Sequence, residues 1–372
     1  MLGKSKLTAT VGLSGGVDSS VAAALLKQAG YNVIGVHMQR FEDQGQGCGS
    51  SKDRMDALRV AKKLGIPFRV VDFREQYQAQ VIDRFVKDFE KGLTPNPDIW
   101  CNEVMKFGLF LDYATSELGV DYIATGHYAR IEKNTSDSEE GYRLLAGVDT
   151  GKDQSYFLYR LNQHQLSKSL FPLGGMKKEE VRKFAREFDL PTAEKPDSVG
   201  ICFIGDIDVR QFVRDRVKVE VGAVEDTKSN VIGTHDGVPL YTIGQRHGFT
   251  VTNYQGEPLY VVRKDIDRNV LVVGRGGESD VSEFNIVDLH FVFEGAEEIV
   301  FGENIKVRIR HLGELVGCTV TRVSYGDQLV GLECILDRPE RGVAGGQHAV
   351  LYKDDVVLGG GVIEIVPIDP IL

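Results

Sequence analysis

Two short stretches of the chain combine residue types that could do chemistry. The first, GLSGGVDSS (12–20), leaves an apolar run and enters a helical pattern. Backbone N–H groups at such a helix start can hold phosphate oxygens. Gly15 and Gly16 permit a tight turn and close backbone approach, Ser14, Ser19 and Ser20 offer hydroxyls, and Asp18 could hold a Mg2+ that bridges phosphate oxygens. The stretch has no G-x-x-x-x-G-K-[ST], so it is not a Walker loop. The second, TPNPDIWCN (94–102), sets two prolines and Asp98 ahead of Cys101. It reads as loop up to the cysteine, and VMKFGLFLDYATSELG (104–119) then has the apolar spacing of a helix. Helix-start N–H groups favour thiolate, so Cys101 is a candidate reactive thiol; an incidental, half-buried cysteine is the alternative.

Alternating elements must position these stretches. Strand patterns fall at 6–13, 31–39, 67–73 and 120–128, and helical patterns at 17–30, 53–65, 74–92 and from 104. Strands rich in Val and Ile, separated by amphipathic helices, imply a parallel sheet covered on both faces. Ligands in such folds bind beyond the carboxyl ends of the strands, where the first stretch lies. Residues 129–149 read as a surface hairpin with a polar tip, followed by mixed helix and loop to about residue 208. Past about residue 220 the pattern is one of short strands broken by Gly, Asp and Asn, with a seam near GRGGESD (274–280). The expected organisation is therefore α/β: a parallel-sheet, Rossmann-like domain over 1–208, a small central β-rich domain over 209–280, and a C-terminal β-barrel over 281–372.

At 372 residues the chain is too long for one typical core. No apolar run reaches the length of a membrane-spanning helix, and MLGKSKLTATVGL leaves no room for a signal peptide, so a cytoplasmic protein without a membrane span is expected. Five scattered cysteines (48, 101, 202, 318 and 334) with no C-x-x-C argue against a disulfide framework and a zinc ribbon. Cys48 sits in a Gly/Gln-rich loop, and Cys318 and Cys334 alternate with apolar residues as core. A net charge of −10 disfavours indiscriminate nucleic-acid binding, but local basic stripes at 176–188 and 209–220 leave a folded RNA open as a substrate; each is equally an ordinary solvated helix face.

SGGVDSS resembles the pyrophosphate loop of the N-type ATP pyrophosphatases, which adenylate a substrate oxygen. Together with TPNPDIWCN, ATGHYAR (124–130), GKDQSYFLYRL (151–161), DSVGICFIG (197–205) and YTIGQRHG (241–248), in that order, the chain resembles the tRNA-specific 2-thiouridylases, the MnmA/TrmU family. The resemblance implies that the first domain is an ATP pyrophosphatase unit and the last binds tRNA. It implies that Cys101 is the nucleophile, that Cys202 accepts a persulfide, and that Asp98 is a general acid or base on the uracil. ATP would lie on Gly12, Leu13, Ser14, Gly15, Gly16, Val17, Asp18 and Ser19, with Met38 and Gly126 beside it. Asn96, Pro97 and Asp98 would meet the flipped base, and Lys152, Asp153, Gln154, Arg310 and His311 would contact tRNA. The implied reaction is thiolation of the wobble uridine of tRNAs such as those for Lys, Glu and Gln, with ATP and Mg2+. Sulfur would come from a cysteine desulfurase or its relay protein, and the chain would act as a monomer. No protein metal cage is assigned.

Two departures from the family pattern stand out. RGVAGGQHAVLY (341–352) has Ala-Gly where Thr-Pro is usual, and SVGICFIG has Val where Thr is usual. Both bear on tRNA docking rather than on the reaction. Three other readings compete: a small-molecule ATP-dependent synthetase, a non-enzymatic RNA-binding protein with a vestigial loop, and the same enzyme with an iron–sulfur cluster on Asp98, Cys101 and Cys202.

Overall fold

The computed structural model describes residues 6–39, 48–136, 139–197, 208–252, 254, 256–325 and 328–365. Cys202 and its neighbours from 198 to 207 lie outside the described residues. Strands β1 (Thr8–Gly12), β2 (Asn32–Met38), β3 (Phe68–Val71) and β4 (Tyr122–Ala124) run parallel, as their apolar runs require. The hairpin β5 (Ala129–Ser136) and β6 (Glu139–Ala146) follows, and β7 (Ser169–Leu170) completes the sheet in the order β3-β2-β1-β4-β7. Two residues are too few to leave a pattern, so β7 has no signature in the sequence. The strand order reverses between β1 and β4, which opens a crevice at their carboxyl ends.

Both faces of the sheet are covered. Helices α1 (Val17–Gln28) and α2 (Cys48–Leu64) pack Ala23, Leu26, Ala57, Val60 and Ala61 on Ala9, Val11 and Val33 of one face. Helices over 74–90 and 97–116 pack Tyr77, Val81, Phe85, Trp100 and Phe110 on Val36, Val71 and Ile123 of the other. Two sequence expectations need correction here. The backbone is already helical at Cys48, where glycine-rich sequence read as loop. The helix expected from 104 begins at Pro97, because proline's fixed φ suits the first position of a helix, where no N–H is needed. Cys101 therefore lies one turn inside a helix rather than at its mouth. From Cys101 to Leu109 this helix is wound as a π-helix, closed by the Phe110 N–H bonding to Met105 O.

Past residue 220 the chain is β-rich, as expected. β8 (Gly222–Asp226), β9 (Val231–His235), β10 (Phe249–Val251), β11 (Tyr260–Asp265) and β12 (Val270–Gly274) form a sheet in the order β10-β9-β8-β12-β11. β13 (Asp280–Phe291), β14 (Ile305–Arg308), β15 (Val316–Tyr325), β16 (Gln328–Arg341), β17 (His348–Lys353) and β18 (Val356–Glu364) close into a barrel through the β13–β18 pairing. Closure removes the sheet edges and buries Phe284, Ile286, Val307, Leu332 and Leu351. The hairpin β5–β6 is not a free surface feature: Leu144 and Leu145 pair with Val357 and Val356 of β18, so it extends the barrel's sheet. Among the described residues, no helix is long and apolar enough to cross a membrane.

Candidate active site

The loop after β1 is shaped by its own hydroxyls. Ser14 Oγ and Ser19 Oγ are 3.1 Å apart, Gly16 N donates to Ser14 Oγ at 3.2 Å, and Ser20 Oγ donates to Gly16 O at 2.7 Å. Gly15 has φ +80°, and a Cβ there would stand 2.3 Å from the carbonyl oxygen of Asp53 on α2, so only glycine fits. Gly126, just past β4, is as restricted: its Cβ would lie 2.7 Å from the backbone nitrogen of Ser19. Met38 ends β2 with its Cε 3.5 Å from where a Cβ on Gly12 would be. The structure thus brings Gly12, Leu13, Ser14, Gly15, Gly16, Val17, Asp18, Ser19, Met38 and Gly126 to the carboxyl edge of β1, β2 and β4.

Lys178, Arg182, Lys195 and Asp197, which no motif singled out as site residues, surround this loop together with Lys152. Lys178 Nζ lies 2.8 Å from both carboxylate oxygens of Asp18 and 2.9 Å from Asp197, and Tyr128 Oη donates to Asp18 at 2.8 Å. Asp197 also takes Lys152 at 2.8 Å and Arg182. Burial works against its charge, but hydrogen bonds from Lys152 and Lys178 hold its carboxyl well below the usual range. Lys195 Nζ bonds the Gly15 carbonyl at 2.9 Å, Asp53 at 2.7 Å and Asp56 at 2.8 Å, which ties the loop to α2. The stripe at 176–188 therefore turns Lys178 and Arg182 inward to the loop. From the sequence this stripe reads only as a basic helix face, open to RNA or to solvent.

Cys101 is fully buried in the core between the sheet and its helices. Next to it, Asn102 Nδ2 donates to Phe157 O at 3.2 Å. His127, which reads from the sequence as a core histidine outside the catalytic set, is buried with Nδ1 2.7 Å from Thr125 Oγ1 and Nε2 3.4 Å from Lys106 Nζ. Burial first, then the Lys106 charge, pushes its pKa well below the usual value, so its ring is neutral.

The start of the same helix helps to line a cavity of about 270 Å³. Pro95, Asn96, Pro97 and Asp98 form one side, Phe85, Phe89, Phe157 and Val209 the apolar walls, and His311 and Gln347 come from the barrel. That is room enough for one pyrimidine. The His311 ring stacks near Phe157, its Nδ1 has no hydrogen-bond partner among the described residues, and burial drops its pKa to about 4. A second cavity of about 400 Å³ shares Phe89 and Val209 and continues past Arg210, Thr242, Gln245 and His247. The unusual 341–352 segment holds the loop from behind. Thr94 N bonds Gly345 O at 2.9 Å, Gln347 Nε2 bonds Thr94 O at 3.0 Å, and a Cβ on Gly346 would stand 2.8 Å from Leu93 Cβ.

The remaining sequence candidates do not join this cavity. Lys152 is paired with Asp197 by the phosphate loop, and Gln154 Oε1 accepts from Tyr128 N at 3.1 Å. Asp153 is buried and paired with Arg308 at 2.6 Å, and it accepts from the Gly147 and Ser155 N–H groups. In this structure it is an internal brace between the first domain and the barrel rather than a surface contact. Arg310 is exposed and donates to Arg341 O at 2.8 Å.

Comparison with known proteins places these features in a family context. Residues 7–206 match the model described as "tRNA methyl transferase HUP domain", 210–275 a "tRNA methyl transferase PRC-barrel domain", and 281–363 an "Aminomethyltransferase beta-barrel domain". A relative from Geobacillus kaustophilus, named tRNA-specific 2-thiouridylase MnmA 2, is 44% identical over 359 residues, which cover 95% of this chain and 94% of that protein. A tRNA-specific 2-thiouridylase MnmA from Shouchella clausii is 43% identical, covering 95% of each chain.

Proposed function

The chain belongs to the family of tRNA-specific 2-thiouridylases, and we propose that it replaces the C2 oxygen of the wobble uridine of tRNAs for Lys, Glu and Gln by sulfur, at the expense of ATP. The observation that carries this reading is the pairing of a phosphate loop with a base-sized aromatic cavity whose wall is the first turn of the helix that holds Cys101. The family model's description speaks of methyl transfer. A methyl donor needs no loop built to grip pyrophosphate, whereas uracil C2 is a poor electrophile whose oxygen must first become a leaving group.

In the proposed sequence the uracil O2 attacks the α-phosphorus of ATP, pyrophosphate leaves, and the base carries AMP on that oxygen. The loop N–H groups with Ser14 and Ser19 bind the pyrophosphate. Asn96, Pro97 and Asp98 orient the flipped base, and Asp98 moves its proton. The Cys101 thiolate then attacks the inner sulfur of a persulfide on Cys202, hydrosulfide leaves, and a Cys101–Cys202 disulfide remains for reduction. Hydrosulfide adds at C2 and AMP departs. Mg2+ fits beside Asp18, whose one carboxylate with phosphate oxygens and water is the ion's usual company; bound there, it would offset phosphate charge. Lys152, Gln154 and Arg310 are proposed to contact tRNA alongside His311, with a desulfurase or relay protein as sulfur donor and a cytoplasmic monomer as the working form.

Mass spectrometry of tRNA from a strain lacking the gene tests the proposal. Wobble 2-thiouridine should vanish; its persistence, with a methylated uridine missing instead, would favour the methyl-transfer reading.

A further inference from the structure

Lys178 stands at the phosphate loop although no motif points to it. It is the first residue of the helix Lys178–Glu187, and Asp18 is the second residue of α1. The two helices pack together through Val17, Val21, Ala22, Val181 and Ala185, which brings their first turns side by side. The ammonium bridges Asp18 and Asp197, and the lysine side chain is only 14% exposed. A cation at a helix N-terminus opposes the helix dipole, so local helix stability does not explain the choice of residue. Among the described residues three cations sit on Asp197: Arg182 is also tied to the carbonyls of Ala193 and Lys195, and Lys152 pairs there with no other carboxylate. Lys178 is the one that also reaches the loop's own carboxylate.

We propose that Lys178 grips the pyrophosphate portion of ATP. Without nucleotide its ammonium neutralises Asp18. When magnesium and ATP engage Asp18, the ammonium is released to the outer phosphate oxygens, with its proton retained and no bond formed or broken. Asp197 holds the lysine in place through the exchange and competes for it as a carboxylate stand-in for phosphate. The inference rests on reading residues 12–20 as the pyrophosphate site of the proposed thiolation.

Titration calorimetry of the full chain with magnesium pyrophosphate tests it without any turnover. Lys178→Gln should weaken binding about ten- to a hundredfold, as loss of one charge-assisted phosphate contact does, while Lys178→Arg should recover most of it and tRNA affinity should stay within about twofold. Asp197→Asn, which removes the competing carboxylate, should tighten pyrophosphate binding; this arm decides the matter if Lys178→Gln proves unstable on thermal unfolding. Unchanged binding in Lys178→Gln, no binding by the wild-type chain, or weaker binding in Asp197→Asn would each overturn the assignment. A wild-type chain that binds pyrophosphate through Lys178 yet releases none from ATP when tRNA is added would support Lys178 and count against thiolation instead.

Discussion

The His311 ring lies with its centroid 4.3 Å from that of Phe157, the planes 36° apart, so a side chain of the barrel leans on the first domain across the mouth of the aromatic cavity. The cavity is thus shared between segments far apart in sequence and forms only when the barrel is docked.

If that pair faces the target base, Phe157→Ala and His311→Ala should each weaken tRNA binding. One lost base-stacking contact is worth about 1–3 kcal/mol. ATP binding should be unchanged. Filter binding with a wobble-U tRNA checks this, and full tRNA affinity in both variants would place the base elsewhere.

Gly126→Ala should act on ATP rather than tRNA. Its methyl would press on the Ser19 backbone, which cannot move without shifting the first turn of α1. The expected outcome, shared with Ser14→Ala and Asp18→Ala, is loss of tRNA-dependent pyrophosphate release with tRNA affinity retained. A Gly126→Ala chain that releases pyrophosphate at the wild-type rate would remove the loop from the nucleotide site.

Asp153→Ala separates a brace from a tRNA contact. Breaking its buried pair with Arg308 strands a charge, and the expected cost is about 3–5 kcal/mol of stability. Denaturant unfolding measures it. Stability near wild type together with reduced tRNA affinity would return Asp153 to the tRNA surface.

Acid should loosen the fold through its buried histidines. His348 is fully buried against Tyr159 Oη, and burial drops its pKa to about 3. The unfolded chain takes up this proton first, near its ordinary pKa of about 6.5. The stabilising contribution is therefore complete above about pH 6.5 and falls by about 1.4 kcal/mol per pH unit from there towards pH 3. His311 adds to the same slope, more weakly because it is partly exposed. Urea midpoints at pH 7, 6 and 5 should decline, and less steeply in His348→Gln; parallel declines would assign the acid sensitivity to other groups.

Much of the first domain was legible because parallel strands and packed helices leave strong periodic patterns. The phosphate loop was legible because its chemistry needs Gly15 and Ser14 within one short turn. Pro97 misled, because proline opens a helix as readily as it ends one. Lys178, Lys195 and Asp197 were not legible: a lysine on a basic helix reads as surface until the packing of Val181 on Val17 turns it towards Asp18. Asp153 read as a surface residue because its partner Arg308 is supplied by the distant barrel. The cavity had no sequence signature beyond its two ends, since Phe85, Phe89 and Phe157 are ordinary core residues by pattern.

The central claim is tested most directly by incubating the purified chain with ATP, magnesium, wobble-U tRNA and a persulfide-generating desulfurase, and counting pyrophosphate and 2-thiouridine in the same reaction. The expected result is about one pyrophosphate per 2-thiouridine. In Cys101→Ser, pyrophosphate release should persist without 2-thiouridine, because adenylation precedes sulfur transfer. Full thiolation by Cys101→Ser, or no tRNA-dependent pyrophosphate release by the wild-type chain, would contradict the account.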